Sequence, residues 1–145
     1  MSRKKKILLI LAAAAGFLAV LFGCLWIYYN AFEWKMSSGI PETERQARLS
    51  LIAAAEEWVE CRESDGSHKE IIDLYNTQDP LPMDYEVLYT DSWCATFVSA
   101  AAMQAGLTDI IPAECGCERQ IGLLQQMGIW QEKDTYFPAP GDLIY

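Results

Sequence analysis

The sequence predicts one transmembrane helix followed by a mainly helical domain of α+β type with only two short strand candidates. Three observations predict it. Residues 7–29 are 23 residues without a charge, directly behind Arg3, Lys4, Lys5 and Lys6. Between residues 41 and 127, apolar residues recur three and four apart in several runs, bounded by Gly, Pro and Asp. Strand-like character is confined to 85–90 (YEVLYT, a strand or an extended arm) and 142–145 (DLIY).

A chain of 145 residues is one domain's worth, and 52% hydrophobic against 21% charged residues excludes a disordered chain. The charge is divided. Residues 1–29 hold four basic residues and no acid, whereas residues 30–145 hold 7 basic and 20 acidic residues, a net −13. Such a surface repels phosphate backbones and carries no basic stripe, which excludes nucleic acid as a partner.

The elements follow in order. Residues 1–6 read as a basic cytoplasmic stub and 7–29 (ILLILAAAAGFLAVLFGCLWIYY) as the transmembrane helix, reaching about 34 Å at about 1.5 Å per residue. The basic flank places the remainder outside the cell membrane, with Trp26, Tyr28 and Tyr29 at the outer interface. An uncleaved single-pass anchor fits better than a cleaved leader, because the apolar core is long and Tyr29 stands badly in a Tyr29-Asn30-Ala31 cleavage site. A lipoprotein site at Cys24 is disfavoured by Phe22 and by the apolar residues beyond it.

Residues 30–40 read as a linker and 41–145 as the domain. Pro41 opens a helix whose stripe is Leu51, Ile52, Ala55, Trp58 and Val59, ended by Asp65-Gly66. Ser67 and Glu70 have capping-box spacing for a second helix to about Tyr75. Asp79-Pro80-Leu81-Pro82 is turn-like. Asp91 or Ser92 caps a third helix carrying Phe97, Val98, Ala101 and Ala105, with Gly106 just past its end. A fourth fits 118–127, stopped by Gly128.

Cys94 is the candidate for chemistry. In the first turn of the third helix, unpaired backbone N–H groups and the helix dipole favour an anion. A thiolate is the competent nucleophile for acyl transfer, and the same N–H groups can receive an oxyanion. Against this stands a plain alternative, a small buried cysteine beside Trp93.

Asp91-Ser92-Trp93-Cys94-Ala95-Thr96-Phe97-Val98-Ser99 resembles the nucleophile motif of CHAP and NlpC/P60-like cysteine hydrolases. The likeness extends through Ala105-Gly106-Leu107, Ile110-Ile111-Pro112 and Gly128-Ile129-Trp130 to Pro140-Gly141-Asp142-Leu143-Ile144-Tyr145, with Gly66-Ser67 and Tyr75-Asn76 upstream, and covers about residues 50–145. It implies a papain-like α+β fold, a cysteine opening a helix packed on a sheet, and cleavage of peptidoglycan amide bonds by an amidase or endopeptidase without cofactor or metal. Cys94 takes the nucleophile's place. The base of such enzymes is a histidine downstream of the G-D-L-I-Y stretch, and residues 1–145 do not include it, so they read as the front part of a catalytic domain. The single histidine, His68, lies upstream of Cys94, beside Ser67 and Lys69 at a helix start, where solvation is the usual role.

Cys61, Cys115 and Cys117 admit three readings: a disulfide involving Cys61, a zinc site with His68, or reduced thiols, of which the last is the plainest. At the start of the fourth helix, Cys115 and Cys117 also have the setting of a low thiol pKa. Asp142 fits turn hydrogen bonding. Trp93, Trp130 and Tyr136 fit core packing before a substrate groove, and Tyr85 or Tyr89 could lend a hydroxyl near the thiol. The expected function is an anchored, outward-facing cysteine hydrolase. The alternative is an anchored binding or scaffold protein, or an inactive remnant.

Overall fold

The computed structural model describes residues 3–37, 39–133, 135–136 and 138–145, with side chains at 3–4, 7–12 and 29–37 outside that description. The chain divides into two units at residues 40 and 41. The first is one helix, α1 (Arg3–Ser37), which continues through most of the stretch expected to be a linker.

Two expectations are corrected. Among the described residues no helix is long and apolar enough to cross a membrane. A crossing takes about 20 consecutive apolar residues. The described apolar side chains of α1 run from 13 to 28, which are 16 positions, or about 24 Å at about 1.5 Å per residue. Ile7–Ala12 and Tyr29, which complete the apolar run of the sequence, have side chains outside the described residues. The single-pass anchor and the cell-membrane location with an extracytoplasmic C-terminal part are therefore not supported.

The papain-like α+β fold is also not what forms. The second unit is helical: α2 (Glu42–Glu56), α3 (Lys69–Tyr75), a 3-10 turn at Pro82–Asp84, α4 (Cys94–Ala105) and α5 (Cys117–Gln126). No strand occurs among the described residues. A strand requires a ladder partner, and neither candidate has one. Val87 pairs with a side chain instead, and Asp142 N–H bonds back to Ala139 O at 3.0 Å in a turn.

α4 packs against α2, α3 and α5. Its residues Ala100, Ala101 and Ala102 are buried, so neighbouring helices approach closely. On one side Ala101 and Ala102 meet Leu51 and Ala54 of α2 together with Ile111. A second cluster joins Ile72 and Tyr75 of α3 to Val87, with Leu81, Trp93 and Cys115 around it. α4 ends as its sequence requires. Gly106 takes φ 68°, a left-handed value that costs glycine little, and Leu107 N–H closes onto Ala102 O at 2.8 Å.

The stripe expected on the first helix survives in part. Leu51 is buried, but α2 stops at Glu56, short of Asp65-Gly66, and Val59 is exposed. The Ser67–Glu70 capping box does not form. α3 starts at Lys69 behind His68, and the Ser67 hydroxyl accepts from Arg62 N–H at 2.8 Å.

Ala102→Leu should overpack the α2–α4 seam and cost about 1–3 kcal/mol. Urea denaturation of the two forms checks this, and an unchanged midpoint would contradict the packing described for α4.

Candidate functional site

Cys94 is the first residue of α4 and is exposed. The residue before the helix is Trp93 (φ −113°, ψ 18°), and no side chain caps it. The expected caps are therefore corrected. Asp91 is spent one turn earlier, where its Oδ2 accepts from Leu88 N–H at 2.9 Å and from Tyr85 O–H at 2.7 Å. These two bonds, the backbone one first, hold the Asp91 carboxyl below the usual carboxylate range. Thr96, in the same first turn, is fully buried with its hydroxyl unpartnered, so it caps nothing either. The N–H groups opening α4 are left without a side-chain acceptor, beside an exposed thiol.

The segment that leads into Cys94 is tied down from α3 and from residues 63–68. The Asn76 side chain donates from Nδ2 to Val87 O at 2.9 Å and accepts Val87 N–H at Oδ1 at 3.0 Å. Tyr89 donates its hydroxyl to Asp73 at 2.6 Å, and its carbonyl accepts from His68 Nε2 at 3.0 Å. Trp93 Nε1 donates to Glu63 Oε1 at 2.9 Å. The Trp93 ring lies 5.9 Å from the His68 ring and 6.3 Å from that of Phe97, one turn past Cys94.

His68 is not the thiol's base in this arrangement. It is buried, and its Nε2 faces the Tyr89 carbonyl, to which it donates. Nδ1 meets no partner, the Cys94 thiol included. The solvated role expected for His68 gives way to packing under the segment before Cys94. Tyr85 and Tyr89 direct their hydroxyls to Asp91 and Asp73 rather than to sulfur.

Cys24, Cys61, Cys94, Cys115 and Cys117 are all free thiols. Among the described residues no group of three or more His, Cys, Asp or Glu is placed to hold a metal ion. Burial pushes the Cys115 thiol up, with Glu114 adding to it, opposite to the low value its place before a helix suggested. Cys117 is exposed at the first position of α5.

Spacing gave no hint of the polar network around Glu114, which is buried. Its Oε1 accepts Cys115 N–H at 2.9 Å and its Oε2 accepts Arg119 Nε–H at 2.8 Å. Ser99 O–H donates to Glu114 O at 2.6 Å and accepts Glu114 N–H at 2.8 Å. Gln120 donates to Pro112 O at 2.9 Å and accepts from Tyr145 O–H at 2.7 Å. Buried polar groups satisfied this completely join α4, the 112–116 loop, α5 and Tyr145 into one unit.

A cleft of about 790 Å³ lies elsewhere, lined by Leu107, Ile111, Leu124, Trp130, Leu143 and Tyr145 among others. Trp130 and Tyr136 line it and Trp93 does not, nor does Cys94. Asp142 sits at its edge in the turn role expected of it, bound to Arg48 Nη1 at 2.7 Å, Ala139 N–H at 2.6 Å and Tyr136 O–H at 2.7 Å. Gly141 is required there, with φ +83° and a Cβ position only 2.8 Å from Arg48 Cβ.

In comparisons with known proteins, the chain matches no family model, no curated protein and no solved structure.

The Asp142 carboxyl makes an acid-sensitive tie. Burial pushes it up, but the Ala139 amide, Arg48 and Tyr136 outweigh that and leave it below the ordinary value. A carboxyl depressed in the folded state stabilises fully above its unfolded pKa, about 3.9, and loses that stabilisation as pH falls through the folded value. The gap in melting temperature between wild type and Asp142→Asn should therefore be widest near neutrality and narrow below about pH 4. A gap that stays constant into acid would contradict the tie.

Proposed function

We propose that this chain carries the nucleophile-bearing part of a cysteine amidase or endopeptidase acting on peptidoglycan, with Cys94 as the nucleophile. One observation carries the reading: an exposed thiol opens a helix of 12 residues whose N-terminus has no side-chain cap. The likeness of residues 91–99 and 140–145 to the CHAP and NlpC/P60 motifs supports the substrate class.

The proposed chemistry is acyl transfer through a thioester. The Cys94 thiolate attacks the carbonyl carbon of an amide, and the uncapped N–H groups at the start of α4 receive the developing oxyanion. Collapse breaks the C–N bond. The amine leaves with a proton from the general acid and an acyl thioester remains on Sγ. Water then cleaves the thioester, giving the carboxylic acid and restoring the thiol. No metal or organic cofactor enters these steps. The resemblance implies a histidine as general acid and base, a role His68 is not placed to fill because it is committed to Tyr89.

A second reading, a non-enzymatic binding or scaffold protein, draws on that same commitment of the only histidine in the sequence. Digestion of purified peptidoglycan separates the two. In a form of the protein that carries the implied histidine, release of new amino groups should fall at least about a hundredfold in Cys94→Ala, while circular dichroism stays unchanged. Equal release from the variant and the wild type would dispose of Cys94 as nucleophile and favour the binding role.

A further inference from the structure

We infer that Asn76 is a positioning residue for the Cys94 thiol, acting by standing in for a missing strand neighbour of the segment that delivers Cys94 to α4. The inference rests on the reading of Cys94 as nucleophile and extends it to a residue that never touches the reacting atoms.

Residues 85–88 have no strand beside them and run into a turn at 89–90. Among them Val87 is buried, so an unpaired amide and carbonyl there would be costly. Asn76 satisfies both. It donates to Val87 O at 2.9 Å and accepts Val87 N–H at 3.0 Å, the two bonds an antiparallel strand residue would make. Only Asn and Gln present a neutral donor and acceptor in this peptide-like pair, and Asn is short enough to hold its partner rigidly. Leu, Ala or Asp at position 76 cannot reproduce both bonds.

The clamp is anchored at one end and transmits at the other. Asn76 directly follows α3 and its backbone N–H bonds Ile72 O at 2.9 Å. α3 is fixed through Ile71, Ile72 and Tyr75, all fully buried, and packs on α4. From Val87 the chain passes to Leu88, whose N–H is held by Asp91, then to Trp93, whose indole is held by Glu63, then to Cys94. Residues 77–86 between the clamped positions form a loop in which Met83 and Asp84 both take left-handed backbone angles (φ 61° and 51°). The Asn76–Val87 pair closes the neck of that loop. It keeps the loop from pulling on the segment that sets where the first turn of α4 begins.

The full chain tests this through its own cysteines. Cys94 and Cys24 are exposed, Cys24 inside a helix rather than at its start, whereas Cys115 is partly buried with its thiol pushed up. Iodoacetamide labelling at neutral pH, read site by site by peptide mass mapping, gives the ratio of Cys94 to Cys24 rates and reports unfolding through Cys115. In wild type the ratio should exceed about ten. In Asn76→Ala and Asn76→Asp it should drop at least about fivefold while Cys115 stays slow. Asp142→Asn, which loosens a different tie, should leave the ratio unchanged. If Asn76→Ala exposes Cys115, the reading is taken from Asn76→Asp, which keeps the size of the side chain and the acceptor for Val87 N–H. A folded Asn76 variant with the wild-type ratio overturns the positioning role. A wild-type ratio near one overturns the nucleophile reading itself, whatever the variants do, and the positioning role with it.

Discussion

The second unit depends on how little space α4 occupies. Ala100, Ala101 and Ala102 have almost no exposed surface, and α2, α3 and α5 all pack on this one helix. Small side chains contribute modest apolar area each, but they let larger neighbours such as Leu51, Ile72 and Tyr75 reach full burial. The position of Cys94 is a consequence. A helix held along its length presents its first residue at a fixed place, and for α4 that residue is an exposed thiol.

Around this helix, polar side chains do work that backbone ladders do in sheet proteins. Asn76 pairs with Val87, Ser99 with both backbone groups of Glu114, and Asp142 with Ala139 N–H. In each case a short side chain satisfies a buried or half-buried backbone group in a segment without regular structure. The protein thereby holds its long connections, 77–93 and 107–116, without strands. The cost is that single substitutions at these polar residues leave a backbone group unpaired.

Much of this was legible in the sequence, and the failures have physical causes. Helical periodicity located α2 and α4, the second helix was placed by a capping box that does not form, and Gly106 marked the end of α4 because only a left-handed residue closes that turn. Local signals failed where a side chain had a better partner further away. Asp91 looked like a cap and instead closed the preceding turn, and Ser67 looked like a capping-box residue and instead bound Arg62. Residues 85–90 and 142–145 have strand composition, but composition cannot supply a neighbouring strand. The anchor was inferred from an uninterrupted apolar run in sequence, whereas the described side chains of α1 span too short a stretch for a crossing. Glu114 and Gln120 were invisible, since charged and amide residues are ordinarily solvated and only the fold shows that these two are buried.

The proposed function requires the thiol opening α4 to accept an acyl group. The most direct measurement is the intact mass of the chain after exposure to a p-nitrophenyl ester of a short D-alanyl peptide, followed by peptide mapping. A single acyl group on Cys94, lost on treatment with hydroxylamine, is the predicted result. Acylation that is absent, or spread equally over Cys94, Cys117 and Cys24, would contradict it.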